Sequence, residues 1–449
     1  MHVKGISLKE LEFYNKKIND FYLSEKFQDM SKGMDYFKGK HDILHKKRMI
    51  IGESGELSPV SNLPNNQIID NQYRKAVEQK LNYLLGKPLT IFYKENDLTD
   101  KIVETLGNDF SVLIRNVGLD AINCGIGWVY IYYNSMGKLC FKRFSPKEVI
   151  PFWADEEHKT LHSFIRIISK ENLDGDIINL AEIYRNDGIY TYSMENEELN
   201  FLSYRAYFYI NGAGFCWDSI PLIPFKYNCD EYPLIKNVKS LQDGINEIES
   251  DFLNVMQEDS RNSIFVLVNY DGENLGEFRR NLAAYGAVKV RSGEGEGDVR
   301  TLNVSVNANN YLSILNVFKK AMIENAKAFD ARNEKIGMST NQLTVKSMYS
   351  DIDLDANGME AEFLSGIKHL FRFVGYHLKN RFGIDCDTNK INVIFNRDML
   401  MNESEIISNI VKSGNILSKE TLISQHPWVN NVFEEKEKLL KQKYEKGEN

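Results

Sequence analysis

The sequence has 449 residues, past the length at which one hydrophobic core usually divides, so two or more packed regions are expected. A composition of 43% hydrophobic and 26% charged residues, with nine prolines and 29 glycines, excludes a disordered or linker-dominated chain. A net charge of −8 argues against a tight, broad-faced grip on DNA, because neutralising phosphates requires a basic surface.

The five cysteines (Cys124, Cys140, Cys216, Cys229 and Cys386) are dispersed and form no CxxC pair, which predicts reduced thiols in a cytosolic setting. The opening residues carry no apolar core of a secretory signal. The densest apolar runs, Val129–Tyr133 and Ile264–Val268, are far shorter than the ~20 residues that span a bilayer. The expectation is a protein made and used in water, with no membrane partner.

Residues 1–50 are helical in pattern and rich in lysine, with Leu8, Leu11 and Tyr14 on one face. Gly52–Gln67 reads as a loop from its Gly, Ser, Pro and Asn content. A helix is predicted over Ile68–Leu85, closed by Gly86-Lys87-Pro88, and another over Ser111–Asn123. From Gly127 to about Phe225 the signal changes. Trp128–Tyr133, Leu139–Phe144, Ser163–Ile168, Ile177–Tyr184, Ile189–Met194 and Tyr204–Ile210 are β-rich runs divided by Gly, Asn or Asp, and they predict a mainly antiparallel sheet.

The most regular segment follows. Leu234, Val238, Leu241, Ile245, Ile248, Phe252 and Val255 recur at alternating spacings of 4 and 3, a heptad pattern. The predicted helix runs from Pro233 to Ser260, roughly 40 Å. Its other faces carry Asp243, Glu247, Glu249, Asp251, Glu258 and Asp259. Periodicity alone leaves two readings open, a core-facing helix or one packed side by side with copies of itself.

A compact insert comes next: strand Ile264–Asn269, turn Tyr270-Asp271-Gly272, helix Leu275–Tyr285, strand Ala287–Arg291, acidic loop Gly293–Gly297 and strand Val299–Val304. A second long helix is predicted over Asn309–Ala331, with Leu315, Phe318, Met322 and Phe329 on one side. Asn333–Gln342 is a polar break, and a third long helix covers Val345–Asn380. Strand Ile391–Phe395 precedes helical stretches at Ser404–Ile423 and Val429–Glu445.

Few residues suggest catalysis. Asp351, Asp353, Asp355 and Glu362 occupy four positions of a calcium-loop template, but Ala356 stands where the sharp turn needs glycine. His41/His45 and His158/His162 are i,i+4 pairs without an HExxH motif or a nearby third ligand. Gly293–Gly297 is glycine-rich but acidic, which would repel a phosphate, and no GxSxG elbow occurs. No catalytic residue, metal or cofactor is assigned. An enzyme reading, a metal-dependent phosphodiesterase or nuclease, would use the carboxylates near Asp351. It would need further acids or histidines converging there, which the spacing does not supply.

Several ordered stretches resemble the portal (head–tail connector) proteins of tailed bacteriophages, in the branch of siphoviruses and related myoviruses of Gram-positive hosts. They are Asn71-Gln72-Tyr73 running on to Tyr83-Leu84-Leu85-Gly86-Lys87-Pro88, and Ile220-Pro221-Leu222-Ile223-Pro224-Phe225-Lys226-Tyr227-Asn228 before the heptad helix. The most specific is Phe265-Val266-Leu267-Val268-Asn269-Tyr270-Asp271-Gly272-Glu273-Asn274. Ser347-Met348-Tyr349-Ser350-Asp351-Ile352-Asp353-Leu354 and Gly414-Asn415-Ile416-Leu417-Ser418-Lys419-Glu420-Thr421 complete the set, which spans residues 65–440.

The resemblance implies an α+β portal fold with long stem helices, a mainly antiparallel β wing, a small α/β clip and a helical crown. It places the wing at 1–232, stem helices at 233–262 and 309–332, and the clip at 263–308. A tunnel loop follows at 333–344, a wing helix and strand at 345–398, and the crown at 399–449. It implies a closed ring, typically of twelve subunits, at the capsid portal vertex of the virion after synthesis in the host cytoplasm. The ring would conduct double-stranded DNA without reading its sequence, in packaging, head–tail joining and ejection.

The implied partners are terminase, head-completion (adaptor) proteins, capsid and scaffolding proteins. Docking would fall on clip residues Asn269, Tyr270, Asp271, Gly272, Glu273 and Asn274. The tunnel-loop contacts would be Gly337, Met338, Ser339, Thr340, Asn341, Gln342 and Lys346. The channel face of the stem would be Glu247, Asp251 and Glu258, with Leu241, Ile245, Ile248 and Phe252 packing on the stem or a neighbouring subunit. Two features depart from relatives: Gly337–Gln342 lacks their small Ser-Gly-containing sequence, and the region after Phe395 is short. The acidic helix faces suit a channel, because each neutralised phosphate would add drag on moving DNA. A pore-less coiled-coil adaptor is the other structural reading.

Overall fold

A computed structural model describes residues 6–51, 56–59, 63–93, 98–171, 175–195, 198–259, 264–268, 298–302, 308–329, 349–397, 403–429 and 432–446. In chain order, helices α1 (Leu8–Leu23) and α2 (Glu25–Phe37) precede a short hairpin of β1 (Met49–Ile51) and β2 (Leu57–Pro59). Then come α3 (Gln72–Leu85), β3 (Thr90–Tyr93), α4 (Leu98–Leu106) and α5 (Phe110–Cys124). A run of strands follows: β4 (Ile126–Tyr133), β5 (Leu139–Phe144), β6 (Val149–Trp153), β7 (Leu161–Glu171), β8 (Ile177–Arg185) and β9 (Gly188–Glu195). It continues through β10 (Glu198–Arg205), β11 (Phe208–Ile210), β12 (Ala213–Phe215) and β13 (Leu222–Lys226). The rest comprises α6 (Ile235–Asp259), β14 (Ile264–Val268), β15 (Asp298–Leu302), α7 (Ala308–Asn325), α8 (Ser350–Phe382), β16 (Ile391–Ile394), α9 (Glu403–Lys412), α10 (Lys419–Ser424) and α11 (Val432–Lys446).

The chain forms two compact units, one of residues 1–39, 71–239 and 323–449, the other of residues 40–70 and 240–322. In the first unit, one antiparallel sheet has the order β10-β9-β8-β7-β6 and a second the order β13-β4-β5. Helix α1 starts with a capping box, the Ser7 hydroxyl accepting from Glu10 N–H and the Glu10 carboxylate from Ser7 N–H. Tyr14 and Ile18 of α1 pack with Ile150, Ile165, Ile183 and Tyr192 of the larger sheet. Leu8 stays exposed, so the buried face of α1 lies one turn further along than Leu8-Leu11-Tyr14. Helix α8 supplies Phe363, Ile367, Leu370, Phe371 and Val374 to the core around the smaller sheet. In the second unit, residues 40–70 pack with α6 and α7, and β14 pairs with β15.

The α+β class expected from the sequence is the observed one, with adjustments at element ends. Helix α3 begins at Gln72, not Ile68, because the Asn71 side chain caps it, accepting from Arg74 N–H at 2.8 Å. The run Tyr204–Ile210 is broken at Ala206-Tyr207, which separates β10 from β11. Helix α7 ends at Asn325 instead of Ala331. Lys327 adopts a left-handed φ of 48°, and Ala328 N–H reaches back to Ile323 C=O at 3.0 Å, a Schellman-type end without its usual glycine. The stretch Ser404–Ile423 is two helices, parted where Ser418 caps α10. Helix α4, strand β6 and the β3–β16 pairing were not anticipated.

Candidate functional site

The heptad helix α6 is 25 residues long and carries two stripes. On the apolar one, Leu234, Val238 and Ile245 are buried, while Leu241, Ile248, Phe252 and Val255 are half-buried. It meets α7 within the chain: the Phe252 and Tyr311 rings lie 5.0 Å apart. Gly244 lets the helices approach, since a Cβ there would sit 2.6 Å from Phe318 Cε1.

The second stripe is polar and buried. Gln242, Asn246, Ser250 and Asn254 recur every four residues, each no more than 4% exposed. Polar groups so deep require partners, and these bind the backbone of an extended segment. Asn254 Oδ1 accepts from Asn66 N–H at 2.7 Å, Ser250 Oγ from Ile68 N–H at 2.9 Å, and Asn246 Oδ1 from Asp70 N–H at 3.2 Å. Gln242 Nε2 donates to Asp70 C=O at 2.8 Å, and Asn246 Nδ2 to His41 Nδ1 at 2.8 Å. Four residues of helix rise ~6 Å, close to the ~6.6 Å between alternate residues of an extended chain, so the two repeats stay in step. The acids expected to face a channel have partners nearby. Glu247 and Asp251, both about half exposed, pair with Lys46. Glu249 pairs with Lys319 at 3.0 Å. Glu258 lies on α6, but its side chain is outside the described residues.

In the first unit, a second constellation gathers the ends of segment 330–348. The Phe329 and Tyr349 rings stack with centroids 4.4 Å apart, and Tyr349 also stacks on Tyr83 of α3. Gln79 Nε2 donates to Phe329 C=O at 2.9 Å, and Lys80 Nζ to Lys327 C=O at 3.2 Å. Lys80 is almost fully buried and forms an ion pair with Asp355 at 2.6 Å. Burial pushes the Lys80 pKa down, opposed by Asp355. Tyr227 O–H donates to the same carboxylate at 2.8 Å. Two residues earlier, Asp353 accepts from Tyr83 O–H at 2.7 Å and pairs with Arg397, which also holds Glu360 at 2.6 Å. Burial, then the Asp353 contact, pushes the Tyr83 pKa up to about 12.

These contacts account for the acids that suggested a metal. Asp353 and Asp355 are held by different cations, and Asp351 is exposed. Helix α8 runs unbroken through Ala356, so the sharp turn of a calcium loop does not form. Among the described residues no three His, Cys, Asp or Glu side chains gather as a metal site. His41 is buried against Asn246, and His158 pairs with Glu231 and stacks on Trp153. Residues 269–274, Gly293–Gly297, the predicted helix Leu275–Tyr285, the predicted strand Ala287–Arg291, Gly337–Gln342 and Lys346 all lie outside the described residues. The polar ladder on α6 and the cluster around Phe329 and Tyr349 were missed from sequence. The four-residue spacing of Gln242, Asn246, Ser250 and Asn254 was the available signal for the ladder.

In class this is a portal protein of a bacteriophage, on a family model that matches residues 20–449. More narrowly, the chain belongs to the SPP1 Gp6-like family of phage portal proteins. It is 27% identical over 420 residues to the portal protein of Bacillus phage SPP1, covering 91% of this chain and 82% of that one. It is 26% identical over 434 residues to the portal protein of Clostridium phage phiCD119, covering 92% of each. Among solved structures it is similar to a chain of the neck of a native GTA particle computed with C12 symmetry. That likeness has a TM-score of 0.41 at 10% identity over 79% of this chain and 89% of the other. Among the described residues no helix is long and apolar enough to cross a membrane.

Proposed function

We propose that this chain is one subunit of a closed ring at the portal vertex of a virion, and that double-stranded DNA passes through the ring during packaging and ejection. The observation that carries the reading is the outer face of α7. The helix meets α6 through Tyr311 and Phe318 yet leaves Leu312, Ile314 and Val317 about half exposed or more. Such a face calls for a partner, and a closed ring uses different faces of one subunit against the next. In this reading residues 1–232 and 345–398 form the wing, 233–262 and 309–332 the stem, 263–308 the clip and 399–449 the crown. Residues 333–344 are the tunnel loop, a role supported by the return of the chain to one place at Phe329 and Tyr349.

Terminase and head-completion proteins would dock at the clip, and capsid and scaffolding proteins around the wing, after synthesis in the host cytoplasm. The role is structural and not enzymatic; the engagement of Asp353 and Asp355 by Arg397 and Lys80 supports that side. Negative-stain microscopy of the purified chain tests the proposal. Closed rings with a central hole are expected. Dimers or fibres at every concentration would overturn the ring and favour a pore-less adaptor.

A further inference from the structure

Helix α8 crosses strand β13 at Gly366, where an added Cβ would lie 2.8 Å from Pro224 C=O. Beside this crossing is a cavity of about 310 Å3, bounded by α8, β13 and the turn between β6 and β7. Lys159, Lys226, Lys368, His369 and Arg372 line it, with Glu362 as the single lining carboxylate. For a chain of net charge −8, that is a local reversal of sign.

Two of these cations already have acids of their own. Lys226 donates to Glu157 C=O at 2.8 Å and lies 3.4 Å from Glu231, and Lys159 pairs with the Glu157 carboxylate. Lys368 and Arg372 differ. They sit one turn apart on α8, both exposed, and neither has a hydrogen-bonding or ion-pair partner among the described residues. Like charges at this spacing repel across the helix surface. His369 lies between them, its pKa lowered to about 4 by burial and then by Arg372. At neutral pH its ring is therefore uncharged and keeps one N–H to donate.

We propose that this cavity binds an anion of the phosphate class, held chiefly by Lys368 and Arg372 with His369 and Ser365 as neutral donors. The charge count favours that class over a carboxylate. A carboxylate would leave one of the two unpaired cations unmatched, whereas a phosphate group matches both, and successive phosphodiesters of a nucleic acid supply the same charge. The planar fork of arginine suits tetrahedral oxyanions, and lysine contributes a point charge. A free phosphate group and a DNA backbone share this chemistry.

The test uses the full chain in chloride buffer at constant ionic strength, titrated calorimetrically with inorganic phosphate. Saturable binding of one phosphate per chain is expected. Lys368→Gln or Arg372→Gln should each weaken it about tenfold, the loss of one charge-assisted hydrogen bond, and the double variant should abolish it. Both side chains are exposed, so the variants should keep the wild-type melting temperature, which is measured alongside. No saturable binding by wild type, equal binding by the double variant, or an equal loss in Lys379→Gln would overturn the site. The last would mean diffuse attraction to the helix. A second arm identifies the source of the phosphate: displacement of bound phosphate by a short DNA duplex indicates the backbone, and no displacement indicates a free phosphate group. Either result supports the site.

Discussion

Lys80 would pass in sequence for an ordinary surface lysine on a helix, and Asp355 for one of several acids suited to a metal. Their ion pair shows that the two belong to one buried contact. Removing one member of such a pair strands the other, typically at a cost of 3–5 kcal/mol. Tyr227 still donates to Asp355 and Lys327 lies 3.6 Å from it, so Lys80→Met should destabilise the chain by about 3 kcal/mol, at the low end of that range. A urea midpoint unchanged from wild type would show that the pair contributes nothing net. His369 carries a pH effect with a definite sign. Its folded pKa is lowered to about 4, against roughly 6.5 for an unfolded histidine. The stability it contributes is fully present above pH ~6.5 and is lost as pH falls towards the folded value, because only the unfolded chain takes up the proton. His377 is shifted the same way by burial and Arg381. His369→Gln should therefore lose less stability than wild type between pH 7.5 and 5 in phosphate- and sulfate-free buffer. Parallel losses would remove His369 from the account.

At the scale of elements, periodicity worked where burial is apolar and local. The heptad helix, strands β4, β5 and β7–β9, and α8 appear within a few residues of their expected ranges, because the repeat of Leu234 to Val255 and the β-branched runs are each driven by one buried face. It failed where the cause lies elsewhere in the chain. Nothing near Ile391–Ile394 tells that it pairs with Thr90–Tyr93. Lys327 ends α7 in a conformation that glycine would have signalled. The polar stripe of α6 holds residues 66–70, a pairing that only the folded chain brings together. The number of partners grades its rungs. Asn246 is bonded to Asp70, Gln242 and His41, whereas Asn254 is bonded to the half-buried Asn66. Asn246→Ala should cost about 3 kcal/mol and Asn254→Ala about 1 kcal/mol in chemical denaturation. Equal or reversed costs would mean that the ladder does not hold the segment.

For the whole molecule, composition excluded more than it identified: a chain of net charge −8 with no catalytic motif could be many things. The scattered but ordered stretches carried the resemblance, and the family match over residues 20–449 agrees with it. The physical features that would do the work of a channel lay beyond sequence reasoning, because they depend on residues far apart meeting. Phe329 and Tyr349 illustrate this. Both rings stack, and α3 holds Phe329 C=O through Gln79 and the neighbouring Lys327 C=O through Lys80. These contacts hold both ends of the segment through residues outside it. Deleting 338–342 should leave the melting temperature and ring assembly unchanged, since the stack and the Gln79 and Lys80 contacts are kept. If the segment is the tunnel loop, the same deletion should sharply reduce the DNA packaged per particle. Phe329→Ala, which opens the stack of this half-buried ring on Tyr349, should instead lower the melting temperature, by about 1 kcal/mol of stability, the usual worth of an aromatic pair. Full packaging by the deletion would refute the role of the loop. Loss of rings by the deletion would show that the segment takes part in assembly and is not anchored independently of it.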